Sequence, residues 1–324
     1  MHLNGKTILL IGGTGSFGKK FVEVCLKKCR PKVIRIYSRD ELKQSEMSQH
    51  YGKTEKLRFF IGDVRDKNRL DRAMHGVDMV VHAAALKQVP SCEYNPFEAV
   101  KTNILGAQNV IDTAIDNKVK KVMALSTDKA VNPINLYGAT KLCAEKIFIQ
   151  GNSYAGADPT IFSCARYGNV IGSRGSVIPV FEKQKKTGRI TITDKRMTRF
   201  WITLEQGIDF VLKCIDVMKG GEVFVPKIPS MKIVDLANLI APGCAIKDVG
   251  IRPGEKINEV LVTEDESRHT KEFKDFFIVE PEFHWWSKNN HSGGKKLKDG
   301  FRYSSDNNPR WLTKEEMKKL LKAE

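Results

Sequence analysis

The chain has 324 residues, with 54 lysines and arginines against 38 aspartates and glutamates, a formal charge of +16 at pH 7. That length supports one two-part domain or two domains with ample core, while no apolar run approaches a membrane span and the start, Met1-His2-Leu3-Asn4-Gly5-Lys6, does not read as a signal peptide. Seven scattered cysteines fit a reduced, cytoplasmic protein, neither they nor the seven histidines have metal-ligand spacing, and no nucleic-acid pattern accompanies the basic charge.

In chain order, Thr7-Ile8-Leu9-Leu10-Ile11 reads as a short buried parallel strand. It runs into Gly12-Gly13-Thr14-Gly15-Ser16-Phe17-Gly18 and then a helix from Phe21. Glycines 12, 15 and 18 let the backbone turn tightly and approach a pyrophosphate at a helix N-terminus. A second strand over 33–37 ends where an NAD site places a carboxylate for the ribose hydroxyl. Here the chain has Ser38 and Arg39 with Lys43 and Gln44 close behind, cations suited to a 2′-phosphate, although Asp40 and Glu41 intervene. NADP is therefore expected in preference to NAD.

Further strands are expected over 57–61, 79–82, 122–125 and 160–164, with helices around 67–75, 96–117 and 137–150. This alternation predicts an α/β fold, a Rossmann-like doubly wound parallel sheet with ligands at the strand C-termini. Asp63 and Val64, after the third strand, are placed to hold adenine, and Ala83-Ala84-Ala85 is small enough for a cofactor to lie against. Lys87 follows, either reaching the catalytic end or solvated in a loop.

Ser126-Thr127-Asp128-Lys129 stands at the C-terminal end of the 122–125 strand, and Tyr137 and Lys141 fall four apart on one face of the next helix. A hydroxyl, a carboxylate, a phenol and two amines so close together suit the movement of a hydride and protons. Tyr-x-x-x-Lys alone is common on exposed helices; the surrounding frame gives it weight. After Tyr167-Gly168-Asn169-Val170 the chain changes character, with a loop over 172–176, a helix opening at Val177 and an edge strand over 190–193. Arg199 and Arg252-Pro253-Gly254-Glu255-Lys256 offer cations for a diphosphate. Residues 284–300 read as an exposed excursion, and Thr313 with Glu316 as a capping box.

Taken together, these segments resemble an extended short-chain dehydrogenase/reductase acting on a nucleotide sugar, over nearly the full chain. The runs Tyr37 to Gln44, Gly62 to Asp66, Ser126 to Lys141, Arg166 to Val170, Met197 to Trp201 and Ser304 to Pro309 are most similar to the inverting UDP-N-acetylglucosamine 4,6-dehydratases that begin pseudaminic acid synthesis. Ile11 departs from the threonine frequent in the superfamily. The resemblance implies a hydro-lyase giving UDP-2-acetamido-2,6-dideoxy-β-L-arabino-hex-4-ulose and water, for flagellin or surface glycans. It implies tightly held NADP, regenerated each turnover, and a homo-oligomer, dimeric or larger and up to a hexamer.

It further implies a division into a cofactor domain, 1–168 with about 200–226 returning to it, and a smaller C-terminal substrate-binding subdomain, 169–199 and 227–324. Cofactor contacts are expected at Gly12, Gly15, Ser16, Phe17, Gly18, Ser38, Arg39, Asp40, Lys43, Gln44, Asp63, Val64, Ala83, Ala85, Lys87, Tyr137, Lys141 and Val170. Substrate contacts are expected at Lys87, Thr127, Tyr137, Asn169, Arg174, Ser176, Val177, Thr193, Arg199, Arg252 and Glu255. Tyr137 is assigned the C4 hydroxyl proton as a phenolate helped by Lys141, Thr127 orients that hydroxyl, Lys129 is the base at C5 and Asp128 the acid at the 6-hydroxyl. Those roles require a neutral lysine and a protonated aspartate. The group that reprotonates C5 stays open between Tyr137, Lys129 and water. Competing readings are a nucleotide-sugar 4-epimerase on the same scaffold and a non-enzymatic NADP- or RNA-binding protein.

Overall fold

The computed structural model describes residues 3–173, 175–287 and 289–322. The first half alternates as its apolar runs require. Strands β1 (Thr7–Ile11), β2 (Val33–Ser38), β3 (Leu57–Ile61), β4 (Met79–His82), β5 (Lys121–Thr127) and β6 (Ile161–Tyr167) are joined by helices. These are α1 (Ser16–Lys28), α2 (Glu41–Tyr51), α3 (Lys67–Met74), α4 (Val89–Tyr94), α5 (Pro96–Val100), a π-helical turn Lys101–Leu105, α6 (Gly106–Asp116) and α7 (Leu136–Ala155). β1 and β4 are buried at every position, which is why they read as unbroken apolar runs rather than alternating ones.

The second half contains β7 (Asn169–Val170), α8 (Val177–Lys185), β8 (Arg189–Ile192), β9 (Thr198–Ile202), α9 (Leu204–Val217) and β10 (Val223–Pro226). It continues with β11 (Ser230–Lys232), α10 (Ile233–Ile240), β12 (Ala245–Asp248), β13 (Val260–Val262), β14 (Thr270–Glu272) and β15 (Phe276–Val279). β16 (Lys295–Lys296), β17 (Tyr303–Ser304) and α11 (Lys314–Lys322) complete it.

A ten-stranded sheet runs β16-β14-β15-β10-β6-β5-β4-β1-β2-β3. It is parallel from β3 across to β10, and β15, β14 and β16 add antiparallel strands. Strand order reverses between β1 and β4, the point at which such sheets open a crevice at their C-terminal ends. α1 packs with α9, while α3, α6 and α7 pack in succession. A second, smaller core gathers Ile178, Phe181, Ile190, Met197, Trp201, Met231, Leu236 and Met317 from α8, β8, β9 and the residue before it, β11, α10 and α11. Each fully buried side chain of this size contributes about 1.5–3 kcal/mol.

Two expectations change. Leu261, Val262, the whole of β15 and Tyr303 join the large core, so part of 227–324 packs with the main sheet instead of the smaller unit. The reason is edge protection: β15, buried throughout, pairs along the otherwise open side of β10. Nor is 284–300 merely an excursion. His291 Nε2 lies 2.7 Å from the Glu222 carboxylate, which is 0% exposed, and β16 pairs with β14. The capping box forms, with Glu316 N donating to Thr313 Oγ1 at 3.1 Å and Thr313 N to Glu316 Oε2 at 2.8 Å.

Beneath the sheet's C-terminal edge lies a buried ionic network. Arg166 on β6 pairs with Glu145 on α7 and reaches Glu266 at 2.8 Å and the Leu261 carbonyl at 2.8 Å, while Ser126 Oγ donates to Glu145 at 2.7 Å. Burial would raise the Glu266 carboxyl, but the Arg166 guanidinium overcomes it and holds the group down from 4.5 to about 2. A depressed carboxyl stabilises the fold above its unfolded value and ceases to do so as pH falls through the folded one. Between pH 4.5 and 2, roughly 3 kcal/mol is therefore lost. Denaturant titrations of Glu266→Gln should show lower stability at neutral pH and a flatter dependence across that window.

Candidate active site

A cleft of about 740 Å³ opens at the C-terminal ends of β1, β2, β4 and β5. At its floor Gly12 turns with φ +82, and a Cβ there would meet the Ala84 amide nitrogen at 2.8 Å, so the turn after β1 lies directly against that after β4. Gly12, Gly15, Ser16 and Phe17 line the cleft. α1 starts there with Gly15 as N-cap and no side-chain cap bond, which suits an anion. Gly18 lies against the Gly13 backbone, whose oxygen a Cβ would meet at 2.3 Å, so a larger residue there would force the helix off the turn.

Ser38, Arg39, Asp40, Lys43, Asp63 and Val64 line the far end. Asp40 caps α2 through Lys43 N at 3.0 Å and pairs with the Lys43 amine, and Arg39 stands 3.5 Å from Asp63. Gln44 is a correction. It is buried behind the wall, donating to the Ser38 carbonyl at 3.0 Å and the Phe60 carbonyl at 2.9 Å, and so ties β2 to β3. This glycine turn, helix start and cation-bearing rim fit an elongated diphosphate-bearing dinucleotide.

At the other end, Asn135 caps α7 by accepting from Gly138 N at 2.7 Å, which sets Tyr137 in the first turn and Lys141 one turn on. Gly138 makes this possible, because a Cβ would sit 2.1 Å from the Lys129 carbonyl oxygen. Asp128–Ala130 forms a single helical turn beyond β5. Asp128 is 1% exposed; its Oδ1 accepts from Thr127 Oγ1 and from Lys129 Nζ, both at 3.0 Å, and its Oδ2 has no partner among the described residues. Lys141 Nζ donates to the Leu125 carbonyl at 2.7 Å. Ala83, Ala85, Lys87, Thr127, Asp128, Lys129, Tyr137, Lys141, Asn169, Val170, Ser176, Arg252 and Glu255 share the same cleft wall. The turn ahead of Lys87 is pinned by Asn103 of the π-helical segment, which accepts from Leu86 N at 2.8 Å and donates to its carbonyl at 2.9 Å.

Three other expected contacts lie elsewhere. Val177 opens α8 behind Ser176, and Thr193 turns its hydroxyl to the Met197 sulfur at 3.0 Å. Arg199 is held off the wall by the carbonyls of Thr198, Lys256 and Ile257 at 2.7–2.9 Å. Arg174 falls outside the described residues. Sequence reasoning missed Glu259, 2% exposed, with Oε1 3.3 Å from Lys129 Nζ and 3.8 Å from Arg199 Nε. Its one local signal is a carboxylate at the head of the apolar run Val260–Val262, a position that demands a cationic partner.

The electrostatics revise two expectations. Burial and the Glu259 charge raise the Asp128 carboxyl against the opposing pull of Lys129, in the direction an acid needs. Lys129 is not made neutral: burial pulls it down, but Asp128 and Glu259 outweigh that and hold the ammonium above the usual lysine range. Burial raises Tyr137 to about 12 despite Lys129 and the Thr127 hydroxyl, and it lowers Lys141 and Lys87. Protein groups alone therefore hold Tyr137 as a phenol. Among the described residues no group of three His, Cys, Asp or Glu is arranged to hold a metal, and no helix is long and apolar enough to cross a membrane.

Comparison with known proteins follows this geometry. The family model described as polysaccharide biosynthesis protein matches residues 8–281. A UDP-N-acetylglucosamine 4,6-dehydratase (inverting) from Campylobacter jejuni subsp. jejuni serotype O:2 is 53% identical, with 98% of each chain covered. A protein of Rickettsia conorii named UDP-glucose 4-epimerase is 44% identical over 98% of this chain and 95% of its own. The X-ray structure of Pen from Bacillus thuringiensis superposes over 100% of both chains with a TM-score of 0.91 at 41% identity.

Proposed function

The chain belongs to the polysaccharide biosynthesis protein family, and from that premise we propose that it is a nucleotide-sugar 4,6-dehydratase that converts UDP-N-acetylglucosamine with inversion at C5. The observation that carries this reading is the 3.0 Å contact between Lys129 Nζ and Asp128 Oδ1, in one cleft wall with Tyr137. A nicotinamide dinucleotide would supply hydride-transfer chemistry here without net consumption. Gly12, Gly15, Ser16 and Phe17 would hold its diphosphate, Asp63 and Val64 its adenine, and Ala83, Ala85 and Val170 its nicotinamide half.

Tyr137 would receive the C4 hydroxyl proton as a phenolate, its own proton passing first to solvent once Lys141 and the positive nicotinamide of a bound cofactor favour the charged form, with Thr127 orienting that hydroxyl. The resting pair is an Asp128 carboxylate and a Lys129 ammonium. Passing one proton along their hydrogen bond gives a neutral amine and a carboxylic acid, the states that dehydration requires. Lys129 then takes the C5 proton, and Asp128 protonates the 6-hydroxyl as the C6–O bond breaks and water leaves. Inversion needs C5 to be reprotonated on the opposite face, by Tyr137, Lys129 or water. The product is the L-arabino 4-keto sugar, a precursor for pseudaminic acid and flagellin glycosylation.

Incubation with UDP-N-acetylglucosamine in D₂O, read by NMR and mass spectrometry, tests this. Loss of one water, deuterium at C5 and an L-arabino 4-keto product are expected. A 4-epimer with no water lost would sink it and establish the second reading, which the Rickettsia relative favours. A simple 4-epimerase expels no 6-hydroxyl, needs no acid for it and leaves Asp128 without a task.

Arg39 and Lys43 at the rim favour NADP over NAD. Among the described residues Arg39 is paired only with Asp63, at 3.5 Å, and it is more than half exposed, which supports its turning to a 2′-phosphate. In binding titrations Arg39→Ala should lose about tenfold or more in NADP affinity with NAD affinity little changed.

A further inference from the structure

The acid–base pair has a third member that the dehydration scheme does not use. Glu259 sits just ahead of β13, its backbone fixed by Ser305, which accepts from Glu259 N at 2.9 Å and donates to its carbonyl at 2.8 Å. The carboxylate so placed faces three cations, Lys129 at 3.3 Å and Arg199 and Lys256 at 3.8 Å, and its Oε2 makes no hydrogen bond among the described residues. Two of those cations are already satisfied elsewhere: Arg199 by three backbone carbonyls and Lys256 by the Val131 carbonyl. The Lys129 ammonium instead has carboxylates as its partners, Asp128 on one side and Glu259 on the other.

We propose that Glu259 is a positioning residue for the acid–base pair, holding Lys129 Nζ against Asp128 and setting the pH at which that amine gives up its proton. This rests on the reading of Asp128 and Lys129 as acid and base. The charged and titratable groups facing Lys129 are Asp128, Tyr137, Lys87, Arg199, Lys256 and Glu259. Of these, Asp128 and Glu259 are the carboxylates that favour the ammonium, and Glu259 is the one outside the chemistry. An opposite charge at this distance moves a titration by about 1–3 units.

The test reads Lys129 directly in the ligand-free full chain. Acetic anhydride labelling across a pH series, with mass spectrometry of the Lys129 peptide, gives the midpoint of its titration without any turnover. In Glu259→Gln the midpoint should fall by about one unit or more. An unchanged midpoint in a folded Glu259→Gln chain would overturn the proposal. Should that variant not fold, Glu259→Asp keeps the buried charge but withdraws it by one methylene. There a drop of about half a unit is expected, and no drop overturns the proposal equally. The pH dependence of kcat/KM with UDP-N-acetylglucosamine separates the two layers. The pair works with one proton between its two members, so the Lys129 titration sets the alkaline limb; if that limb moves down with the labelling midpoint, Lys129 is the base that Glu259 tunes. If labelling moves and the limb stays, the coupling stands and the assignment of Lys129 as base falls.

Discussion

Lys129→Met is expected to lower dehydration turnover by about 10²–10⁴-fold, the range over which a positioned acid or base acts. Methionine keeps the length of the side chain and its packing against Asp128 but carries no proton. Asp128→Asn should cost a similar factor, because its Oδ1 is the atom that exchanges a proton with Lys129 at 3.0 Å. The two groups act as one unit, so the double variant should be little slower than either single one. Product formation in each variant, followed by NMR, decides this once melting curves have shown the chains folded. Dehydration that survives in Asp128→Asn would remove Asp128 as the acid of the scheme.

The largest expected effect on stability comes from Arg166→Met. Arg166 is 1% exposed and joins β6 to α7 and to the 266–269 turn through Glu145 and Glu266. Without it the Glu145 carboxylate is buried and unpaired, which costs about 3–5 kcal/mol. Calorimetry should show Tm falling on the order of 10 °C. The loss has a pH signature. Against its burial, Arg166 holds the Glu266 carboxyl down to about 2, and that contribution is lost as pH falls from 4.5 to 2, so the deficit should be greatest at neutral pH and shrink across that window. Replacing Glu145, Arg166 and Glu266 together with apolar residues should recover much of the stability, since the cost lies in the stranded charge. A deficit that is the same at every pH would mean that packing, not charge, is what Arg166 provides.

Both predictions concern residues that the sequence places well, and the contrast with Glu259 shows why. Period and run length sufficed for β1, β3 and β4, whose bounds match the apolar runs residue for residue. The spacing of Tyr137 and Lys141 on one helix face, and the glycine turn ahead of α1, are likewise properties of short windows. Side chains within one turn of each other meet because backbone geometry brings them there. Gln44 and Gly18 show the limit of the same logic. Both sit at the right place in the chain, yet one turns inward to bond β2 and β3, and the other packs against the Gly13 backbone.

What the sequence determined by itself was therefore the parallel strands β1 to β6, the glycine turn after β1 and a set of titratable side chains that share the cleft. What only the tertiary structure decided was their charge. How firmly Lys129 holds its proton depends on Asp128 beside it and on Glu259, which comes from far along the chain and stands 3.3 Å away. At such distances in a buried site, Asp128 and Glu259 together outweigh the cost of burying the ammonium. That balance changes within a few ångströms, and it is set by which strand ends the fold brings together.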